Sequence, residues 1–356
     1  MKVPSFLRSI ADSLSTDIGI DLGTANTLVY VKGKGVVLNE PTIVAINRKT
    51  GQLVAVGTEA KTMLGRTPSH VEVVRPLVDG VISDFEVTEE MLAYLLAKVR
   101  SGTHSLIAPR VLIGVPSGIT SVEIRAARDA AKNAGAREVL LIEEPIAAAI
   151  GAKLPIHKPQ GSMIIDIGGG TTDIAVMSLN GIVTAKNLRV AGDRLNQDIT
   201  SYIRDQFKVL VGDKTAEEAK IALASVEEHG ESKEMIVRGR DVVTGLPREV
   251  VITDTDVREA ILSSVNTIVE AARDVIESTP PEVLADVMQR GIHLAGGGAL
   301  IPGVPKLLEE VLKLPVVVVP DPLRAVVRGA GIVLENMEQY EELLIENEEE
   351  LSPGFG

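Results

Sequence analysis

Two stretches of this chain carry one pattern twice. Residues 17–31 read DIGIDLGTANTLVYV and residues 163–179 read MIIDIGGGTTDIAVMSL: an apolar run, an aspartate, a turn of glycine and threonine, then a second apolar run. Apolar residues flanking a small polar bend predict strand, tight turn, strand in each case. The copies lie about 145 residues apart, so each opens its own sheet and duplication of one lobe is the simplest explanation. The length agrees: 356 residues exceed the about 100–200 of one ordinary core, which predicts two lobes.

Between the copies, residues 108–116 (APRVLIGVP) form a buried-strand pattern, 121–134 have helical spacing, and 139–142 form a short strand. Strands alternating with helices define an α/β lobe. Past the second copy, 193–211 predict a helix, and 215–224 another whose Thr-Ala-Glu-Glu start resembles a capping box. The polar stretch 227–251, broken by glycine, suggests a small subdomain with a short β-element at MIVRGRDVVTG. Residues 253–277 predict a long amphipathic helix stopped by Pro280-Pro281, followed by a strand at 291–294 and a third glycine turn at 295–298.

Composition removes several classes of function. With 36 Lys+Arg against 49 Asp+Glu the net charge is −13, which argues against binding a phosphate backbone, so nucleic acid is not an expected partner. Eight glutamates between Glu335 and Glu350 carry −8 of it, leaving −5 for the rest. Four Phe, four Tyr and no Trp mean an aliphatic core, which suits a parallel sheet covered by helices. The absence of cysteine excludes disulfides and thiolate chemistry, and five scattered His leave little for a zinc site. The start MKVPSFLRSIADSLST is too broken for a secretory signal. No run of 18 or more apolar residues is long enough to span a membrane.

Three signatures occur in order: IDLGTANT (residues 20–27), IDIGGGTTD (165–173) and LAGGGALIPG (294–303). Together they resemble the two phosphate loops and the adenosine loop of the actin, sugar-kinase and heat-shock-chaperone ATPase superfamily. GKGVVLNEP (33–41), DGVISDFEV (79–87), IEEPIAAAIGAKLPI (142–156) and STPPEVLADVMQRGIHLAGGGAL (278–300) are closer still to the MreB family of bacterial actin homologues, across nearly the whole chain. The resemblance implies an actin-like, duplicated ribonuclease H-like α/β fold with a nucleotide cleft between two lobes. It divides the chain into a large subdomain of lobe I at 1–45, 79–158 and 328–349, with an amphipathic segment at 1–16, and a small one at 46–78. Lobe II follows, with a large subdomain at 159–192 and 251–327 and a small one at 193–250.

Small residues let a loop approach phosphates and hold them with backbone N–H groups. Gly23, Thr24, Ala25 and Asn26 form one such hairpin and Gly168, Gly169, Gly170 and Thr171 the other. Mg2+ takes oxygen ligands and keeps several waters; Asp21 and Asp166, at equivalent strand ends, are the expected carboxylates, acting through water. Hydrolysis of ATP needs a water held in line with the γ-phosphorus. The resemblance places Glu144 as the water-activating residue, with Pro145 presenting it on a loop, and Thr171 as a helper hydroxyl; Glu143 is the alternative base. It also places Glu217 and Lys220 at the ribose or base, with Gly296, Gly297, Gly298 and Ala299 forming the adenosine loop. Two positions depart from the family pattern: Ala222, where a Glu is usual, and Asp173, where Glu is more frequent.

Phe6, Leu7, Ile10 and Leu14 fall on one helical face, and the resemblance implies attachment to the inner membrane surface. Leu106 and Ile107, in the loop SGTHSLIAP, form a second membrane candidate. The acidic tail from Met337 predicts a solvated, fraying terminal helix. The implied function is a filament-forming cytoskeletal ATPase that polymerises with Mg-ATP and organises cell-wall synthesis and rod shape. Implied partners are further copies of itself in paired protofilaments and integral-membrane adaptors. The alternatives are a non-polymerising ATPase or a small-molecule kinase of the same superfamily, and no insertion for a sugar pocket with an Asp base is found.

Overall fold

Each copy of the repeated pattern opens a five-stranded sheet, and the two sheets have the same order. In the first, Ile18–Leu22 pairs antiparallel with Asn26–Val31, which pairs antiparallel with Gly35–Pro41; on its other side Ile18–Leu22 runs parallel to Arg110–Val115, and that strand parallel to Glu138–Glu143. In the second, Ser162–Ile167, Thr172–Ser178 and Gly181–Leu188 form the antiparallel half, and Ile292–Ala295 and Val316–Val318 the parallel half. Even the irregularities correspond: the second hairpin of each sheet is bulged, at Val29/Tyr30 and at Val176/Met177. The computed structural model describes residues 16–101, 107–228 and 232–345. The central strands Arg110–Val115 and Ser162–Ile167 are buried at every position, as strands covered on both faces must be.

Helices cover the sheets where their apolar stripes direct. Ser121–Asn133 and Asp254–Ser278 each start at a threonine capping box, Thr120 with Glu123 and Thr253 with Asp256, which pairs two N-terminal donors reciprocally. The long helix ends at Ser278, and Pro281 opens the next, Pro281–Arg290, because proline fits the first turn of a helix. A two-stranded hairpin of Leu77–Val78 with Val81–Ile82 and two short three-stranded sheets complete the described sheets. One joins Val44–Asn47, Leu53–Val56 and Val71–Val74 beside the helix Thr58–Met63; the other joins Val209–Leu210, Glu234–Asp241 and Pro247–Thr253.

Three expectations are corrected. The helix expected to reach residue 211 spans Gly192–Tyr202, continues as one π turn to Phe207 and stops at Lys208, whose φ of 59° is left-handed; Val209–Leu210 then pairs as a strand with Arg240 and Asp241. The next helix begins at Asp213, capped by Gly212 without a side-chain bond, so Thr215 lies inside it and forms no capping box. The tail does not fray through its described part: Leu343, Leu344 and Ile345 are buried, the Ile345 N–H donates to the Leu141 carbonyl at 2.9 Å and Arg128 donates to the Ile345 carbonyl at 3.0 Å.

The lobes are joined by a shared apolar layer. Leu112 and Ile142 of the first sheet and Ile164, Ala175, Met177 and Ala295 of the second pack on two crossing helices, Glu144–Gly151 and Ala325–Glu335. These cross at their glycines. A Cβ on Gly329 would overlap the Ala147 carbonyl, and one on Gly151 the Ala325 carbonyl.

Candidate functional site

A cleft of about 500 Å3 separates the sheets and takes its walls from both, a size typical of small-molecule sites. Asp21 lies near the end of its strand, opposite Leu28 and beside Gly114; Asp166 occupies the equivalent place, opposite Asp173 and beside Ala295. Gly23, Thr24, Ala25 and Asn26 from the first turn, and Gly168, Gly169, Gly170 and Thr171 from the second, line the cleft, as do Glu144, Glu217, Lys220, Gly296, Gly297 and Gly298. Ala299 is buried behind the third turn and is not on the wall, and neither is Ala222.

The two turns touch. A Cβ on Gly169 would stand 2.6 Å from the Ala25 methyl, and one on Gly170 would overlap the Thr24 hydroxyl, so only glycine permits this approach. The second turn is tied at both ends: the Gly168 N–H donates to Thr171 O at 2.9 Å, while the first N–H groups of the helix Gly192–Tyr202, from Gly192 and Asp193, donate to the carbonyls of Gly168 and Gly169 at 3.1 and 2.7 Å. Lys220 joins this network, donating from Nζ to Gly192 O at 2.8 Å; burial pushes its amine below the ordinary lysine range. Glu217 pairs with Lys61 at 3.2 Å and Asp193 with Arg75 at 3.3 Å, so two ion pairs cross the mouth. Sequence reasoning passed over Lys61, Arg75 and Asp193, because nothing local marks partners 156 and 118 residues apart.

Glu144 corrects one further expectation. It is the first residue of the helix Glu144–Gly151, with Pro145 in the first turn, rather than part of a loop. Proline needs no helical donor there, so the helix begins in spite of it. Glu144 faces the cleft, whereas Glu143 ends a strand, is buried, and does not line it. Asp173 lies behind Thr171 and accepts three bonds: from Ser117 N at 3.0 Å, Ser117 Oγ at 2.8 Å and Asn187 Nδ2 at 2.9 Å. All three bonds fall on one oxygen, Oδ1, and those from Ser117 link the two lobes.

The charges acting on this centre repel one another. Burial pushes the Asp21 carboxyl up to about 7. Asp166 is held well above its usual range by burial and then by Asp21 and Asp173; Glu144 likewise by burial and then by Asp173, Asp21 and Asp166. Glu143, by burial and then Asp173, is raised to about 7. A cation relieves such a cluster. Among the described residues no three His, Cys, Asp or Glu side chains converge to ligate a metal directly, so the donor set of Asp21 and Asp166 fits a hydrated divalent ion of the Mg2+ type, held through its water.

One consequence is a pH dependence. A carboxyl whose folded pKa stands near 7, against about 3.9 in an unfolded chain, binds its proton more tightly when folded. Its contribution to stability is therefore complete below about pH 4 and is lost as the pH rises to about 7. The expected result for nucleotide-free protein in EDTA is a melting temperature that falls from near pH 5 to near pH 8, with a smaller fall in Asp21→Asn and in wild type with Mg-ATP. Equal slopes in all three samples would show that the cleft carboxylates do not set it.

The membrane candidates Phe6, Leu7, Ile10, Leu14 and Leu106 lie outside the described residues; Ile107 is half-buried in an isolated bridge. Among the described residues no helix is long and apolar enough to cross a membrane.

Two sheets of one topology facing each other across a cleft, with a glycine turn from each meeting inside it, define an actin-like protein. The solved structure of MreB5 of Spiroplasma citri bound to ADP superposes with a TM-score of 0.87 at 39% identity, covering 92% of this chain and 98% of that one. The MamK double helical filament gives 0.77 at 26% identity, covering 90% and 99%. The chain belongs to the MreB/Mbl family, whose model, described as MreB/Mbl protein, matches residues 15–342. It is 50% identical to the cell shape-determining protein Mbl of Bacillus subtilis over 324 residues, 91% of this chain and 97% of that protein. It is 47% identical to the cell shape-determining protein MreB of Escherichia coli over 338 residues, 94% and 97% respectively.

Proposed function

We propose that this chain is a filament-forming ATPase that polymerises with Mg-ATP on the inner face of the cell membrane and organises cell-wall synthesis and rod shape. The observation that carries the reading is the contact of the two glycine turns above Asp21 and Asp166, with Glu144 on the same wall. It is supported by the S. citri MreB5 structures, which are bound to ADP and to AMPPNP. In this reading the backbone N–H groups of Gly23–Asn26 and Gly168–Thr171 hold the β- and γ-phosphates. Asp21 and Asp166 hold the hydrated cation, which supplies positive charge to the phosphates when bound. Glu144 orients a water for in-line attack and takes its proton, a role suited to an acid whose pKa is raised. Thr171 positions the same water. Glu217, Lys220, Gly296, Gly297 and Gly298 form the adenosine side, with Ala299 supporting the turn from behind.

The lobes follow the four-part division read from the sequence. Further copies of the chain stack through a contact that does not close on itself, which generates an open filament. Residues 1–15 and the segment around Leu106 and Ile107 attach it to the membrane, where integral-membrane adaptors join it. High-speed sedimentation with Mg-ATP, Mg-ADP or no nucleotide, with phosphate release followed in the same tubes, tests the core of this. Pelleting and release with ATP are expected. Protein that hydrolyses ATP yet stays in the supernatant at high concentration would remove assembly and leave the kinase alternative. Added liposomes are expected to co-sediment with the full chain and not with a chain lacking residues 1–15; undiminished binding would move the anchor to Leu106 and Ile107.

A further inference from the structure

We propose that Gly80 is a positioning residue for hydrolysis, acting through Thr24 and Thr171, an inference that rests on reading the cleft as an ATPase site. Leu77–Val78 and Val81–Ile82 form a minimal hairpin whose tip is Asp79-Gly80, with φ of 50° and 78°. Two left-handed residues make the tight turn that matches strand twist, and glycine suits the second position. This tip is wedged against both phosphate turns at once. The Gly80 N–H donates to Thr24 Oγ1 at 2.9 Å. A Cβ on Gly80 would stand 2.8 Å from Thr171 Cγ2 and 2.8 Å from Pro116 Cγ, and a Cβ on Gly170 would stand 3.0 Å from Asp79 Cα.

The consequences fall on two hydroxyls. Thr24 Oγ1 accepts from Gly80, so its own proton remains available to donate, and Thr24 lies on the cleft wall. Thr171 is held from two sides: Asp173 lies beside its hydroxyl, and its methyl rests on Gly80. The strap that carries the tip begins at Arg75, whose partner Asp193 donates its N–H to Gly169 O. Residues 75–80 therefore reach the second turn from both ends, and the position of the small sheet at Val71–Val74 is transmitted to the groups that hold the water.

The test is Gly80→Ala, read by mant-ATP affinity, melting temperature and single-turnover phosphate release at saturating Mg-ATP. Affinity within about threefold of wild type and release about 10–100-fold slower are expected, since sub-ångström misplacement of a water-holding group acts on the chemical step. Adding Thr171→Ser, which removes only the methyl in the way, is expected to recover part of that loss when compared with Thr171→Ser alone. Wild-type release in Gly80→Ala, a parallel loss of affinity and rate, or equal slowing in both backgrounds would each overturn the proposal. If Gly80→Ala does not fold, the same comparison is made with Pro116→Ala, which clears the other obstructing atom. Glu144→Ala is run alongside: normal release there overturns the ATPase reading itself, whereas slow release there with normal release in Gly80→Ala overturns only the role of Gly80.

Discussion

Glu144→Ala is expected to bind ATP and to release phosphate about 10²–10⁴-fold more slowly than wild type, the usual contribution of a positioned general base. The side chain is on the cleft wall at the first turn of a helix, and its proton affinity is raised by burial and by Asp173, Asp21 and Asp166. The same substitution removes one of several mutually repelling carboxylates, so the nucleotide-free protein is expected to melt higher while the enzyme slows. Those opposite signs separate a catalytic role from a structural one, because a residue needed only for folding lowers both. Glu143→Gln is the companion measurement. Glu143 does not line the cleft, and a loss as large as that of Glu144→Ala would reassign the base.

Gly329→Ala is expected to lower the melting temperature by about 4 °C, equivalent to roughly 3 kcal/mol at this chain size. In a free helix the same change stabilises by about 0.5–1 kcal/mol, because glycine is the poorer helix former. Here the new methyl meets the Ala147 carbonyl across the helix crossing, and the backbones must separate. Overpacking of this kind costs about 1–3 kcal/mol or more in a closed core. The helix pushed aside is the one that starts at Glu144, so slower phosphate release is expected with the loss of stability. Unchanged or raised thermal stability would show that the crossing is looser than described.

The repeated motif was legible because hydrophobic runs and glycine are local signals. Asp21 and Asp166 fell into equivalent registers, and Gly169 and Gly170 of the second turn proved necessary to the contact of the two turns. What misled was also local. Apolar spacing continues through Val209 and Leu210, so the helix seemed to run on, although left-handed Lys208 ends it and Arg240 and Asp241 claim those residues as a strand. Thr-Ala-Glu-Glu looks like a helix start, yet Gly212 had already supplied one. At the tail, glutamates on both sides masked Leu343, Leu344 and Ile345, whose burial depends on Leu141 and Arg128, about 200 residues away. The ion pairs at the mouth and the wedge at Gly80 exist only once separate parts of the chain meet, and no window of sequence contains them.

The glycine crossing of Glu144–Gly151 with Ala325–Glu335 has a mechanical consequence. A contact with no side chains between the backbones resists sliding but tolerates a small turn, so it serves as a fulcrum, and the two sheets are the arms of a lever. Lys61 with Glu217 and Arg75 with Asp193 bridge the cleft between those arms. A change of a few degrees at the fulcrum, too small to disturb its packing, is multiplied along the arms into the making or breaking of both pairs.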